Sequence, residues 1–137
     1  MLAGVALLAA LVGPVQHTCP AGVVVARDAE TFRRELASEK SEIWLAGRVR
    51  GDFEAKRGLA IHGCEAAVLE GSGAGTILKL AGDDILVEDV AFEHSGARVS
   101  SEDGALKISG ERAIVRRVAV RDSLYGIALE QCHQCRL

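Results

Sequence analysis

The stretch "CHQCRL" (132–137) carries two cysteines three apart with a histidine between them. Cys132, His133 and Cys135 are residue types that hold a soft metal or run thiol–disulfide chemistry. A smaller set is His62 with Cys64. A third is the segment "EHSGARVSSEDG" (93–104), whose His94, Ser95, Glu102 and Asp103 could form an acid–base pair or an oxygen-rich cation site. Each set also has a plain structural reading. Cys132 and Cys135 read as ordinary turn-and-strand positions, as a local disulfide, or as a metal or redox pair. His62 and Cys64 read as a strand end and its turn, and 93–104 reads as an inert surface loop. A zinc site would need a second ligand pair at suitable spacing, and the sequence offers none.

The elements that must position these residues are short strands. The 137 residues are 49% hydrophobic but only 4% aromatic, with 15 glycines against 2 prolines. Val, Ile and Leu with many glycine turns favour strands over bundled helices. The formal charge of -3 supplies no basic field, which excludes nucleic acid as the expected partner. No stretch of the mature chain is long enough to span a bilayer. The continuous apolar run "MLAGVALLAALVG" reads as the core of an export signal over residues 1–21, with a small-x-small site at Cys19-Pro20-Ala21. The alternative is a buried N-terminal helix. An exported chain works in the periplasm or outside the cell, where cysteines can oxidise.

The pattern apolar-x-apolar-x-Gly recurs as "IWLAG" (43–47), "LAIHG" (59–63), "LKLAG" (78–82) and "LKISG" (106–110), with "IALEQ" (127–131) as a fifth copy. "TILKLAGDDILVEDVAFEHS" (76–95) lies over "GALKISGERAIVRRVAVRDS" (104–123) without a gap. That alignment matches Leu78 with Leu106, Val87 with Val115, and Phe92 with Val120. A period near 20 residues with inward Val, Leu and Ile predicts an all-β fold, a right-handed parallel β-helix (solenoid) of about five coils. "DAETFRRELAS" (28–38) predicts one helix, N-capped by Asp28, with Phe32 and Leu36 on its buried face and Glu30 paired with Arg34. It would cap the first coil. The expected organisation is a signal peptide over 1–21, a strand and capping helix over 22–42, and coils over 43–137. The last coil breaks off at Leu137, so the chain reads as a fragment or as a stack that continues on something else.

This register sets neighbours. Glu88 falls beside Arg116 and Asp89 beside Arg117, as cross-strand pairs. Lys79, Lys107 and Trp44 share one outward column, with Trp44 under the capping helix. Cys64 and Cys132 share a turn column with Asp83 and Glu111, three coils apart. That is about 14 Å at strand spacing, beyond the roughly 7 Å a disulfide tolerates. No Cys64–Cys132 bond is expected.

Residues 47–96 resemble the N-terminal part of the NosD family, periplasmic accessory proteins of nitrous-oxide reductase maturation. The likeness rests on the Gly47–Gly51 start, on "AVLEGSGAGTIL" (67–78), and on "FEHSG" followed by "DGALKI" (103–108). "DSLYGIALEQC" (122–132) resembles that family's next repeat. The resemblance implies a non-enzymatic periplasmic protein that assists copper-centre assembly, with an ABC-type transporter and the copper reductase as partners. Copper is then the implied cofactor. Its candidate ligands here are Cys132, His133 and Cys135, then His62 and Cys64. Two alternatives stay open: a carbohydrate-binding or polysaccharide-cleaving protein, and a structural surface repeat protein.

Overall fold

The computed structural model describes residues 17–137. Most of the expected export signal, residues 1–16, lies outside them.

Alternating apolar residues build two layers of strands. One is a five-stranded sheet of β1 (Val25–Ala26), β2 (Glu42–Arg50), β4 (Ala60–Glu70), β6 (Leu86–Glu93) and β8 (Ile114–Arg121), in that order. The other is a four-stranded sheet of β3 (Phe53–Ala55), β5 (Leu78–Ala81), β7 (Gly104–Ser109) and β9 (Tyr125–Glu130). From β2 to β9 the chain alternates strictly between the two, and every ladder is parallel. Inward residues such as Ile61, Leu69, Leu78, Phe92 and Ile108 are fully or almost fully buried.

The helix α1 (Ala29–Ala37) forms as its sequence predicts. Asp28 is the N-cap, its Oδ1 accepting from Thr31 N at 2.7 Å. That bond satisfies an amide the first turn would otherwise leave unpaired. Phe32 and Leu36 are buried, and Phe32 meets Phe53 edge to face at 4.8 Å. Glu30 and Arg34 pair at 3.6 Å on the open face. The helix packs on β1, β2 and β3, over the N-terminal edge of the sheets.

The expected right-handed β-helix of about five coils must be corrected to two all-parallel sheets with one short helix. It rested on a single column of apolar-x-apolar-x-Gly motifs, and that column does not exist. "IWLAG" and "LAIHG" lie in β2 and β4 of the five-stranded sheet, whereas "LKLAG", "LKISG" and "IALEQ" lie in β5, β7 and β9 of the four-stranded one. Nor is the period uniform. Glu42 pairs with Ala60, 18 residues on, and Leu86 with Ile114, 28 residues on. A period-2 pattern identifies a strand and its buried face, but both sheets use the same pattern, so it does not say which sheet a strand joins.

Where the repeat is unbroken, the expected register holds. Leu78 pairs with Leu106, Val87 with Val115 and Phe92 with Val120. The turns repeat too. Gly82 and Gly110 both have positive φ, at 155° and 134°. A side chain at Gly110 would strike the carbonyl of Gly82 one strand away.

Candidate functional site

The outward face of the five-stranded sheet carries two polar columns. The first runs Trp44, His62, Glu88, Arg116 across β2, β4, β6 and β8. The His62 ring stacks on Trp44 with centroids 4.6 Å apart. Its Nδ1 lies 2.6 Å from Glu88 Oε2 and its Nε2 lies 3.1 Å from Glu42 Oε1. Glu88 also accepts from Arg116 at 2.7 Å and Arg117 at 3.0 Å. Burial works to raise the Glu88 pKa, but hydrogen bonds from His62 and Arg116 outweigh it and hold the carboxyl below its ordinary range. His62 is outward, as expected, yet only 8% exposed. Both of its ring nitrogens face carboxylates, so neither is available to a metal in this arrangement.

Trp44 therefore does not share a column with Lys79 and Lys107, and its ring stacks on His62. The two lysines do pair in register, in the other sheet. The expected charge pairs form: Arg116 to Glu88 at 2.7 Å and Arg117 to Asp89 at 2.7 Å.

The second column runs Arg50, Glu70, Glu93, Arg121 at the far end of the same strands. Arg48 donates to both glutamates, at 2.8 and 2.9 Å. Its hydrogen bond holds Glu93 below the ordinary carboxylate range against a small opposing effect of burial. Just past β6, His94 Nδ1 lies 2.9 Å from Asp122 Oδ2. The second column, with His94 and Asp122, lines an open groove of about 520 Å³. A half-exposed histidine held by a carboxylate can orient a water or a hydroxyl. Paired-acid catalysis would need two carboxylates free of cations, and Glu70 and Glu93 share Arg48.

The rest of segment 93–104 builds structure. Asp103 is 2% exposed, its carboxylate accepting from Arg98 N at 3.0 Å and Arg98 Nε at 3.2 Å. Glu102 is exposed and lies 3.9 Å from Lys107. One acid is enclosed and the other faces solvent, so they do not act as a pair. Ser95 is buried, its hydroxyl donating to Gly96 O and accepting from Leu124 N.

All four cysteines are in disulfides. Cys132 bonds Cys135, and Cys64 bonds Cys19. The expected turn column of Cys64 with Cys132 is also corrected, because Cys64 lies in β4 opposite Ala46. Cys132 and Cys135 pack against the core, where Ala113 N donates to Cys135 Sγ at 3.2 Å. His133 is exposed, and its carbonyl accepts from Arg112 N at 2.9 Å. The copper candidates Cys132, His133 and Cys135 are thus a stapled turn, whose sulfurs would become thiolate ligands only on reduction. The same holds for Cys64.

One ligand set escaped the sequence reading. A sulfur from each of Cys19 and Cys64 and an oxygen of Glu65 lie within 4.8 Å of one another. In the oxidised state the sulfurs bond each other, and Glu65 pairs with Arg27 at 2.7 Å. Two disulfides fit an oxidising compartment outside the cytoplasm. Among the described residues no helix is long and apolar enough to cross a membrane.

Comparison with protein-family models, with curated proteins and with solved structures found no match in any of the three.

Proposed function

We propose that this chain belongs to an exported, non-enzymatic accessory protein of the NosD type, which assists nitrous-oxide reductase assembly by holding a partner protein. The carrying observation is the state of its chemistry-bearing groups. The cysteines are closed in disulfides, His62 is enclosed by Trp44 and two glutamates, and Glu70 and Glu93 are bound by arginine. Such a surface suits recognition better than turnover. Of the two roles the resemblance implies, partner binding is favoured over copper binding, because copper(I) would need thiolates. The export signal ends ahead of Cys19 in this reading, since cleavage after Ala21 would remove one half of the Cys19–Cys64 bond.

The test uses the exported protein with purified apo nitrous-oxide reductase. Thiol counting should find no free cysteine, a copper(I) competition assay should show no binding until the disulfides are reduced, and biolayer interferometry should show binding to the reductase. Tight copper binding by the oxidised protein, or no binding to the reductase, overturns the proposal.

A second reading has one observation of its own. Lys79 and Lys107 stack in register beside Glu54, Ser109 and Glu130, lining a shallow groove of about 130 Å³. Two adjacent ammonium groups suit an acidic sugar. Binding or cleavage of pectin-like polymers would favour this reading.

A further inference from the structure

The corner of β4 that carries the Cys19–Cys64 disulfide also gathers a ligand set. Side chains of consecutive residues in a regular strand point to opposite faces. At Cys64 and Glu65 that alternation breaks, because Glu65 and Ala66 turn through positive φ, at 51° and 58°. One donor atom from each of Cys19, Cys64 and Glu65 then lies within 4.8 Å of the others, and Cys19 Sγ is 2.9 Å from Glu65 Oε2. Two sulfurs and a carboxylate oxygen are a ligand set for zinc, with bonds of about 2.3 Å to sulfur and about 2.1 Å to oxygen. A tetrahedron of such bonds sets the sulfurs about 3.8 Å apart and each about 3.6 Å from the oxygen. The spread of the three atoms already covers those separations, so opening the S–S bond is the main change required.

The scaffold around the sulfurs does not depend on their bond. Glu65 N donates to His17 O at 2.7 Å, which ties the segment before Cys19 to β4. Arg27, just past β1, donates to Glu65 Oε2 at 2.7 Å. A carboxylate has about four lone-pair sites, so this contact leaves Glu65 able to bind an ion. Cys64 is buried, Cys19 half-buried and Glu65 exposed. The set is anchored on its inner side and open on its outer side, where an ion and a water as fourth ligand can enter.

We propose that the reduced chain binds one zinc-class divalent cation at Cys19, Cys64 and Glu65, and that the Cys19–Cys64 disulfide closes this site. A dithiol reductant opens it. The disulfide takes two electrons and two protons and becomes two thiols, while the reductant becomes a disulfide. Each thiol then loses its proton to solvent as it ligates the ion. A newly made chain passes through the same reduced state before the bond first forms. The carboxylate selects the class of metal. Copper(I) favours soft sulfur ligands, whereas a borderline divalent ion accepts sulfur together with oxygen. Among the described residues no comparable set of three surrounds Cys132 and Cys135. The site goes beyond the partner-binding role and does not depend on it.

The experiment uses the exported protein with Cys132→Ser and Cys135→Ser, whose intact mass checks that Cys19 is retained. A phosphine reduces the remaining disulfide without air, taking oxygen from water to become the phosphine oxide. Cobalt(II) is then added as a spectroscopic substitute for zinc. The reduced protein should take one cobalt per chain, with a thiolate-to-cobalt charge-transfer band and the visible bands of a tetrahedral ion, and zinc should displace it. The oxidised protein should show neither. Glu65→Gln should bind cobalt at least about tenfold more weakly, since even groups that only orient a ligand cost that much. Zinc should also raise the melting temperature of the reduced protein, and that readout holds for a metal-free reduced chain that is already unfolded. No cobalt binding, octahedral bands alone, undiminished affinity in Glu65→Gln, no rise in melting temperature, or a mature chain without Cys19 overturns the proposal.

Discussion

His62 and His94 each pair with a carboxylate, one within the five-stranded sheet and one just past its strand ends, and their surroundings make them different objects. His62 lies mid-strand, stacked on Trp44 and bonded through both ring nitrogens to Glu88 and Glu42. His94 lies past a strand end, its side chain about half exposed, with Asp122 on one nitrogen. The first is enclosed by neighbours on the two flanking strands, β2 and β6, with both ring nitrogens taken. The second faces the groove and is free to meet a ligand. Identical residue types acquire opposite roles because strand register decides how many neighbours cover them.

The contrast can be broken at the backbone first. A Cβ added at Gly63, next to His62, would strike the Asp89 carbonyl, which is main chain and cannot move aside. Gly63→Ala should cost about 3 kcal/mol. Gly73 lies beside His94, where a Cβ would meet only that side chain's ring, with Nε2 at 3.0 Å, though its φ of 85° is strained for alanine. Gly73→Ala should cost about 1 kcal/mol. Urea unfolding of the two variants measures the difference, and equal losses would refute the contrast.

At the side chains, His62→Ala should destabilise by about 2 kcal/mol, because the largely buried Glu88 loses a donor and Trp44 its stack. His94→Ala should change stability by under about 0.5 kcal/mol.

The pH dependence sharpens the same point. Glu88 and Glu93 have folded-state pKa values below the ordinary 4.5. A depressed carboxylate binds its proton more weakly folded than unfolded. Its stabilisation is therefore full above about pH 4.5 and lost as pH falls through the folded value. Stability should decline on acidification below about pH 4.5. Removing His62 should move the Glu88 part of that decline upward, while the Glu93 part, set first by Arg48, stays in place. Carboxyl titration by NMR follows both.

At Arg48 the effect depends on salt. Arg48→Gln should lower stability slightly at low salt and hardly at all at high salt, since the pair network is half-exposed.

Some of this was legible in the sequence. Asp28, Phe32 and Leu36 announced α1, and the gap-free repeat of 76–95 over 104–123 gave the register that pairs Glu88 with Arg116 and Asp89 with Arg117. The His62 cluster was not legible. Aligning "IWLAG" with "LAIHG" sets an offset of 16, whereas Trp44 pairs with His62 at 18. A two-residue slip keeps every side chain on its own face, so alternation alone cannot detect it. The ladder also shifts register between Ala46 and Arg48, and Glu65 and Ala66 turn through positive φ. These irregularities hid the partners of β4, and with them the proximity of Cys64 to Cys19.

The Cys19–Cys64 bond has a mechanical consequence. It closes 45 residues of chain, which in chain-entropy terms contributes about 4 kcal/mol. It also sets the path of force. Tension applied at His17 passes through the disulfide into β4, bypassing β1, α1 and β2. The helix over the sheet edge is thereby shielded from a pull on the N-terminal side, and it would remain seated while that side is held under tension. Reduction would redirect that pull onto α1, making the oxidised bond the difference between a cap that stays and one that peels.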